Sequence, residues 1–484
     1  MSLKKQAITS IIWDFLGKIS IQGSNFIVSI FLARLLSPTD FGLVALVMVV
    51  LNILSIFMDV GLSSGLIQRR RVLPIHFYSV FYFNLFFAVF LTLITFFSSG
   101  HIAIFFKQPE LKLLIEVMSI IFVINSFGSI HRVILIKNLQ YKILTKVNFF
   151  SFLIGGIVGI VLALNNFGVW SLVFQNIIGN ILGTVLLWKY SLWRPKFLFS
   201  LKALIQLWSF GFKMFLAAVI DKVFSQLDYL VIGKIFSPAT LGYFQRAKSL
   251  NSLIISYSSG SIMQVMFPVL SKIQNDLERF RNVVLKVLAI ICFMVFFLIG
   301  FFYLNAKEVI VLLFSDKWLP SVEMFKILVL SAFAFPISAL LVNILSSRGN
   351  STDFLKLDIY KKISLSLVFF IGFHFGIYGF LYGLIYQAFF AVFINTLYAA
   401  KEIKLNKKIF FKIMLHHAIV GVLGVIITCF IVQFVEVNNL FLSLIFKGLI
   451  FSVVYLLFSF IFKVDGMKII IEEMKKFFKR RKNA

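Results

Sequence analysis

The sequence is poor in cysteine and in charged residues, and it contains no long polar segment. Both cysteines, Cys292 and Cys429, lie in apolar stretches, so no disulfide framework is indicated. Charged residues make up 14% of the chain, against about 25% in soluble domains. No polar connection exceeds about twenty residues, which excludes a separate soluble domain. The pattern G-x-x-x-x-G-K-[ST] is absent, which excludes an ATPase of the P-loop type.

Histidine is also scarce, and no metal-binding pattern accompanies it. The adjacent His416 and His417 stand near Lys412, without a carboxylate or cysteine pattern to complete a metal site. We therefore expect neither a metal nor a cofactor.

Apolar residues dominate the chain instead, at 60% of its 484 residues. Apolar stretches of about 20 residues bounded by polar breaks are typical of membrane-spanning helices. Fourteen stretches of this kind predict an all-α integral membrane protein. They lie at residues 11–33, 41–67, 76–97, 113–136, 147–165, 168–188, 208–233, 241–267, 283–304, 322–346, 357–374, 377–399, 411–435 and 440–463.

The net charge of +28 follows the predicted membrane topology. Thirty-four lysines and arginines fall in segments on the side of the N-terminus, and only six fall on the opposite side. Because cytoplasmic segments carry the excess of basic residues, both termini are predicted to be cytoplasmic. The basic residues therefore indicate contact with anionic lipid, and we expect no nucleic acid partner.

A ten-residue signature occurs twice, at 34–43 and again at 234–243. Three residue types keep their places, as Ser37, Pro38 and Gly42 in the first copy and Ser237, Pro238 and Gly242 in the second. An even number of spans per half gives both copies one orientation, so the repeat is parallel. We predict a six-helix lobe at 1–200, a repeated six-helix lobe at 201–400, and two extra helices with a basic tail at 401–484.

Ionisable residues inside the predicted spans are the strongest functional signal. Each costs about 2.5–3.5 kcal/mol at the centre of a bilayer, so six facing lipid would cost roughly 15–20 kcal/mol. They fall on the first two spans of each half, which predicts that these helices line a polar cavity. The six residues are Lys18, Asp59, Asp221, Lys222, Asp228 and Arg246.

Uncharged polar residues extend these positions into stripes at helical spacing. The stripes run along the first, second and seventh spans, and their members include Gln22, Asn25, Asn52, Asp59, Asp221 and Ser225. Structural alternatives remain for several charges. Lys18 is shallow enough to snorkel toward the membrane surface, and Asp228 or Arg246 could form a structural salt bridge. Lys447 is interpreted as a snorkelling or helix-end charge.

Several motifs together resemble one family of membrane proteins. They include the signature at 32–42, Asp59-Val60-Gly61-Leu62, Phe167-Gly168-Val169-Trp170, Leu241-Gly242-Tyr243-Phe244-Gln245-Arg246 and Lys317-Trp318-Leu319-Pro320. The combination, over about residues 1–400, is similar to polysaccharide flippases of the colanic-acid-exporter type. These belong to the MATE-like multidrug/oligosaccharidyl-lipid/polysaccharide superfamily.

This resemblance implies two six-helix lobes around a central cavity in a bacterial cytoplasmic membrane protein. It implies a transporter, not an enzyme, that moves an oligosaccharide on a polyprenyl diphosphate to the outer leaflet. We expect Lys18, Lys222 and Arg246 to bind the diphosphate. We expect Gln22, Asn25, Asn52 and Ser225 to contact the sugars. Asp59, Asp221 and Asp228 would form ion pairs or couple transport to a proton or sodium gradient.

Other partners and two other functions remain open. Membrane lipids and a polysaccharide polymerase complex are the further expected partners. A cation-coupled drug exporter would share the fold, although cationic drugs favour acidic linings. A membrane polysaccharide polymerase or glycosyltransferase would rely on Asp40, the candidate carboxylate of the first outer loop. Asp40 also fits a helix cap, with Pro38 and Gly42 making the turn.

Overall fold

The computed structural model describes residues 3–435 and 437–482. Within these residues the side chains of 3–16, 18–19, 209–210, 257–265, 473–474 and 476–482 lie outside the description. The described part of the chain forms nineteen α-helices and three short 3₁₀ turns, with no strand. The predicted all-α fold class is therefore confirmed.

Two compact units divide the chain, Met1–Gln245 and Arg246–Ala484. Ten helices begin in the first unit, and the tenth continues into the second. They are α1 (Leu3–Leu35), α2 (Pro38–Leu54), α3 (Leu62–Gln68), α4 (Pro74–Phe106), α5 (Leu111–Met118), α6 (Ile120–Lys137), α7 (Tyr141–Leu164), α8 (Val169–Tyr190), α9 (Leu201–Ile235) and α10 (Pro238–Lys272).

The second unit continues with nine helices. They are α11 (Leu277–Leu304), α12 (Ala306–Phe314), α13 (Pro320–Ser331), α14 (Ala334–Ser347), α15 (Ser351–Gly372), α16 (Gly376–Glu402), α17 (Lys407–Val432), α18 (Leu440–Ile461) and α19 (Asp465–Lys482). The predicted lobe boundaries near residues 200 and 400 describe the sequence repeat and stay a prediction. In the structure, α9 packs within the first unit on α2, α3 and α4.

Ten helical segments of the described chain are long and apolar enough to cross a membrane, and the bent helix α9 makes an eleventh. The predicted number of fourteen is not confirmed. Helices α1 and α10 fall outside the ten, and both carry the polar residues noted in the sequence. Helices α15 and α16 count as a single segment of 52 residues. They pack side by side as a hairpin, and across it the Ser364 hydroxyl donates to Gln387 Oε1 over 2.6 Å.

The duplication is visible in how two corresponding spans break. The stretch predicted at 113–136 is interrupted at Ser119, between α5 and α6. The stretch predicted at 322–346 is interrupted at 332–333, between α13 and α14. In the first break, the Thr92 hydroxyl donates to the Ser119 carbonyl over 3.1 Å, which satisfies a backbone group that the break exposes.

Small residues bring α7 and α8 close together in the first unit. Ser151, Gly155 and Gly159 recur every four residues along α7, and Gly179 and Gly183 do so along α8. A methyl group built on Gly155 would lie 3.1 Å from the Gly179 Cα, so the two backbones almost touch. This spacing is the small-residue pattern by which helices associate in lipid, where van der Waals packing replaces the hydrophobic effect.

The last helices pack on α11 through aromatic rings. Phe451 and Tyr455 of α18 are fully buried, and they contact Phe293 and Phe297 of α11. The Tyr455 hydroxyl donates to the Phe293 carbonyl over 2.8 Å. The pair of helices α17 and α18, recognised in the sequence only as apolar stretches, is thus an integral part of the second unit.

A buried ion pair also ties α18 to α12. Lys447 Nζ lies 2.5 Å from Glu308 Oε1, and the Ser443 hydroxyl donates to the same oxygen over 3.1 Å. The Glu308 side chain is only 4% exposed. The sequence interpretation of Lys447 as a snorkelling or helix-end charge did not foresee this partner, which lies 139 residues away in the chain.

This pair gives a stability prediction. Replacing Glu308 by alanine should lower the free energy of unfolding by about 3–5 kcal/mol, because it leaves the Lys447 charge without its partner. The double change Glu308→Leu and Lys447→Leu should recover most of that loss. Chemical unfolding in detergent measures both variants. Equal losses in the single and double variants would show that the pair does not act as a unit.

Candidate functional site

Both copies of the duplicated signature begin a helix. In the first copy the Ser37 hydroxyl donates to Asp40 Oδ2 over 2.6 Å, and the Asp40 backbone N–H donates to Ser37 Oγ over 3.2 Å. These contacts form a capping box at the start of α2, with Pro38 in its first turn. In the second copy the Thr240 N–H donates to Ser237 Oγ over 3.2 Å. The predicted cap is confirmed, whereas Pro38 and Gly42 lie within α2 and do not form the turn before it.

The glycines of the two copies pack against one another. A methyl group built on Gly42 would overlap the carbonyl oxygen of Pro238, and one built on Gly242 would overlap the carbonyl oxygen of Pro38. The contact is reciprocal, so the first turns of α2 and α10 cross with their backbones in contact. Only glycine permits this approach, which explains why both copies keep it.

A second glycine crossing joins the far end of α2 to α9. Gly61 follows the 3₁₀ turn Ser55–Met58 and has a φ of +78°, a conformation that favours glycine. A methyl group on Gly61 would overlap the Gly211 carbonyl oxygen, and one on Gly233 would overlap the Leu46 side chain. The span formed by α2 and α3 therefore contacts α9 along most of its length.

Asp59 lies at the break between α2 and α3. Its carboxylate accepts from the Ser63 backbone N–H at 3.1 Å and from the Ser63 hydroxyl at 2.6 Å. Asn84 Nδ2 of α4 donates to the same group over 3.2 Å. All three contacts are donors to the carboxylate, so Asp59 caps α3 at the break. Its predicted part in ion coupling stays a prediction.

Helix α9 carries four of the predicted site residues. Asp221 and Ser225 are exposed, and Lys222 is half-buried. The Ser225 hydroxyl donates to the Lys222 carbonyl over 2.8 Å. Asp228 is buried, and its Oδ1 accepts from the Tyr229 backbone N–H over 3.0 Å. The helix thus presents a polar face beside the face that packs on α2.

The residues predicted on α1 and α2 are partly enclosed. Gln22, Asn25 and Asn52 are half-buried. The Asn25 Oδ1 atom is buried, and no described residue donates to it. The Lys18 side chain lies outside the described residues. Its neighbour Gly17 faces Thr145, which places this part of α1 against α7.

Arg246 lies in the second unit and is buried. Its guanidinium stands over the rings of Phe314 and Trp318, 5.5 Å from each ring centroid. Stacking on aromatic rings holds the guanidinium plane in a fixed orientation. The aromatic partners were not foreseen, because they follow Arg246 by about seventy residues in the chain.

The first unit also contains a polar cavity that the sequence pattern did not predict. It has a volume of about 530 Å³, within the range of about 300–1,000 Å³ that is common for ligand sites. Its walls come mainly from α6, α7 and α8 and are rich in carboxamides and hydroxyls. The polar lining residues are Asn125, Ser129, Arg132, Asn148, Ser151, Gln175, Asn176, Asn180 and Thr184.

A signal for this cavity is present in the sequence. Asn176, Asn180 and Thr184 recur every four residues along α8, and Ser129 and Arg132 share one face of α6. The spacing equals that of the stripe on α1. These residues do not stand out in the sequence, because all but Arg132 are uncharged. Arg132 lies near the end of the predicted span 113–136.

The second unit contains an apolar cleft of about 520 Å³. Aromatic rings line much of it, including Phe333, Phe389 and Phe393, together with Met414 of α17. No charged side chain appears among its described lining residues. A cleft of this composition suits a hydrocarbon chain.

Solved structures with this fold are membrane transporters. The chain matches a lipid II flippase MurJ in an inward closed conformation with a TM-score of 0.74. That match is 18% identical and covers 94% of this chain and 98% of MurJ. A multidrug resistance MATE transporter of the MOP superfamily matches with a TM-score of 0.59 and 17% identity, over 79% and 94% of the two chains. The fold class is therefore that of these multi-pass transporters.

Sequence comparison places the protein within this class. Residues 31–323, more than half of the chain, match the family model described as polysaccharide biosynthesis protein. The chain belongs to this family, which confirms the resemblance seen in the sequence.

Curated relatives agree with the family. An uncharacterized membrane protein in the cps region of Klebsiella pneumoniae is 27% identical, over 71% of this chain and 72% of that protein. The succinoglycan biosynthesis transport protein ExoT of Rhizobium meliloti (strain 1021) is 25% identical, over 68% and 64%. The lipopolysaccharide biosynthesis protein WzxC of Escherichia coli (strain K12) is 23% identical, over 71% of each chain.

The cap at Asp59 predicts a difference between two substitutions. Asp59→Ala should lower the free energy of unfolding by about 0.5–2 kcal/mol, because the first turn of α3 loses its acceptor. Asp59→Asn keeps an acceptor oxygen and should stay close to the wild type. Chemical unfolding in detergent compares the two, and equal losses would contradict the capping role.

The glycine crossing predicts that added volume is not tolerated. Gly42→Val and Gly242→Val should each lower the free energy of unfolding by about 1–3 kcal/mol through overpacking. Gly100→Val is the matched control, because a methyl group there meets nothing within 4 Å. Thermal unfolding and yield from the membrane measure the effect. A Gly42→Val protein as stable as Gly100→Val would rule out the close crossing.

Proposed function

We propose that this protein is a flippase for lipid-linked oligosaccharides. It moves oligosaccharide repeat units, attached to polyprenyl diphosphate, from the inner to the outer leaflet of the bacterial cytoplasmic membrane. Surface polysaccharide synthesis, of capsule, O-antigen or exopolysaccharide, consumes the translocated units. Membership of the polysaccharide biosynthesis family, on a fold shared with a lipid II flippase, is the observation that carries this proposal.

Basic side chains within the helices support a diphosphate-bearing substrate. A diphosphate is a multiply charged anion, and hydrocarbon strongly disfavours it. Lys222 on α9 and the stacked Arg246 would bind it through charge-assisted hydrogen bonds, and Lys18 on α1 is the third proposed partner. Arg246 is suited to this role because its buried guanidinium stands over two aromatic rings, 5.5 Å from each centroid.

The remaining predicted residues take complementary roles in the proposal. Gln22, Asn25, Asn52 and Ser225 offer amide and hydroxyl groups to the sugars. Asp221 and Asp228 lie on α9 beside Lys222, where they would neutralise basic groups once the diphosphate leaves or bind protons or sodium. The prenyl chain would stay in lipid or in apolar clefts such as the one lined by Phe333 and Phe389.

Transport by alternating access requires helices that separate and pack again. The crossing at Gly42 and Gly242 would close the outer side, since both signatures lie in loops predicted to face outward. Both termini would then be cytoplasmic, in agreement with the distribution of basic residues. No covalent chemistry is needed, and Asp40, the carboxylate considered for an enzyme, already serves as a helix cap.

A cation-coupled drug exporter is the second candidate, because solved multidrug transporters share the fold. The mixture of basic and acidic residues on α9 favours the anionic substrate over a cationic drug. Deletion of the gene separates the two. A flippase mutant loses surface polysaccharide at unchanged drug susceptibility, whereas an exporter mutant becomes sensitive to drugs.

The proposal predicts the effect of removing single bases. Lys222→Ala and Arg246→Ala should each reduce translocation of lipid-linked oligosaccharide at least about tenfold, since each removes a charge-assisted contact to the diphosphate. The measurement is the amount of surface polysaccharide and the amount of lipid-linked repeat units that accumulate on the inner leaflet. It is made in cells in which the variant is the only source of this protein. Lys213→Ala, on the exposed part of the same helix α9, is the control. Wild-type flux in both variants would refute the phosphate role.

A further inference from the structure

The polar cavity of the first unit is lined by residues other than the predicted site residues. None of those ten residues lines it, although Ile21 of α1 and Met58 of the 3₁₀ turn reach its edge. Gly179, Gly183 and Ser151 lie among its lining residues, and their small side chains leave room between α7 and α8. The cavity volume of about 530 Å³ is large enough for an organic ligand.

The carboxamides of α8 are held in one orientation. Asn176 Nδ2 donates to the Leu172 carbonyl, and Asn180 Nδ2 donates to the Asn176 carbonyl, each over 2.8 Å. Each amide thereby uses a donor on its own helix and keeps its Oδ1 atom as an acceptor. Acceptors held four residues apart along a cavity wall suit the hydroxyl groups of a sugar.

Arg132 supplies the charged donors of the cavity. It is exposed, and its Nη2 donates to Asn148 Oδ1 across a long 3.3 Å. A guanidinium carries five N–H donors in a fork that matches a carboxylate. Among the described residues that line the cavity, Arg132 is the one ionisable side chain. A metal ion or a cationic drug would find no carboxylate there, whereas an anionic group finds a partner.

We propose that this cavity binds an acidic sugar of the transported oligosaccharide. The hydroxyl groups of the sugar donate to Asn176 and Asn180, and its carboxylate accepts from Arg132. The inference rests on the proposed function and deepens it, because it gives the substrate a carboxylate-bearing sugar in addition to its diphosphate. It also places sugar recognition on α6, α7 and α8, on residues other than those proposed for the diphosphate.

Binding to the purified full-length protein in detergent tests the site directly. Glucuronate and glucose, which differ by the carboxylate, are titrated separately and followed by saturation-transfer difference NMR. Wild-type protein should bind glucuronate saturably and at least about tenfold more tightly than glucose. Arg132→Gln should reduce glucuronate binding to the level of glucose, and Asn180→Leu should weaken both sugars.

Two control variants make the same types of substitution, arginine to glutamine and asparagine to leucine, at positions outside the cavity. Arg279→Gln removes an exposed arginine, and Asn165→Leu removes an asparagine that donates to its own helix in the same way as Asn180. Both should bind as the wild type does. Thermal unfolding of each variant confirms that it is folded. Glucuronate binding that is absent in the wild type, or unchanged in folded Arg132→Gln, would overturn the site.

Surface polysaccharide in cells separates this inference from the proposed function. Wild-type protein that restores polysaccharide but binds glucuronate no better than glucose would overturn the acidic-sugar site and leave the flippase standing. Glucuronate binding that depends on Arg132, in a protein that moves no lipid-linked oligosaccharide, would overturn the flippase and leave the sugar site standing.

Discussion

The close crossing of α2 with α9 and α10 is the contact on which the first unit depends. At one end of this crossing the helices meet at Gly42 and Gly242, and at the other end they meet at Gly61 and Gly211. Because glycine has no side chain, the backbones come into contact at both ends. Helices in lipid gain nothing from hiding apolar surface, so their association requires close van der Waals packing. The two copies of the duplicated signature supply this packing at one end, where the Gly of each copy lies against the Pro of the other.

The same crossing positions the polar groups. Helix α9 packs on the span of α2 and α3 through Gly211 and Gly233, and between these two glycines it carries Asp221, Lys222 and Ser225. A change at the crossing would therefore move the charged residues as part of one helix. Packed interfaces of this kind have discrete arrangements and do not deform continuously. Such an interface fits a transporter that alternates between two states.

Much of the fold follows from local sequence. Apolar stretches located the helices, and the pattern at Ser37 and Asp40 predicted a cap that the structure forms. The partners of long-range contacts could not be predicted in this way. Nothing near Lys447 indicates that Glu308 binds it, and nothing near Gly42 indicates that Pro238 lies against it. The breaks at Ser119 and at 332–333 also have neither proline, glycine nor a charged residue at the break itself, so the local sequence does not mark them.

The site was predicted less completely than the fold, for a physical reason. A charge inside a membrane is costly and stands out, which led to Lys222, Asp221 and Arg246. A carboxamide costs less and can bond to its own helix, as Asn180 does. The cavity formed by such residues becomes visible only when α6, α7 and α8 are packed together.

Translocation by the purified protein tests the central claim most directly. The protein is reconstituted into liposomes with lipid-linked oligosaccharide from its own host, and the sugar exposed on each leaflet is measured with a membrane-impermeant lectin or glycosidase. The flippase account predicts that the oligosaccharide crosses the bilayer only when folded protein is present. The contradicting result requires folded protein, intact liposomes and an imposed proton or sodium gradient. If the oligosaccharide then stays on its original leaflet, the flippase account is contradicted.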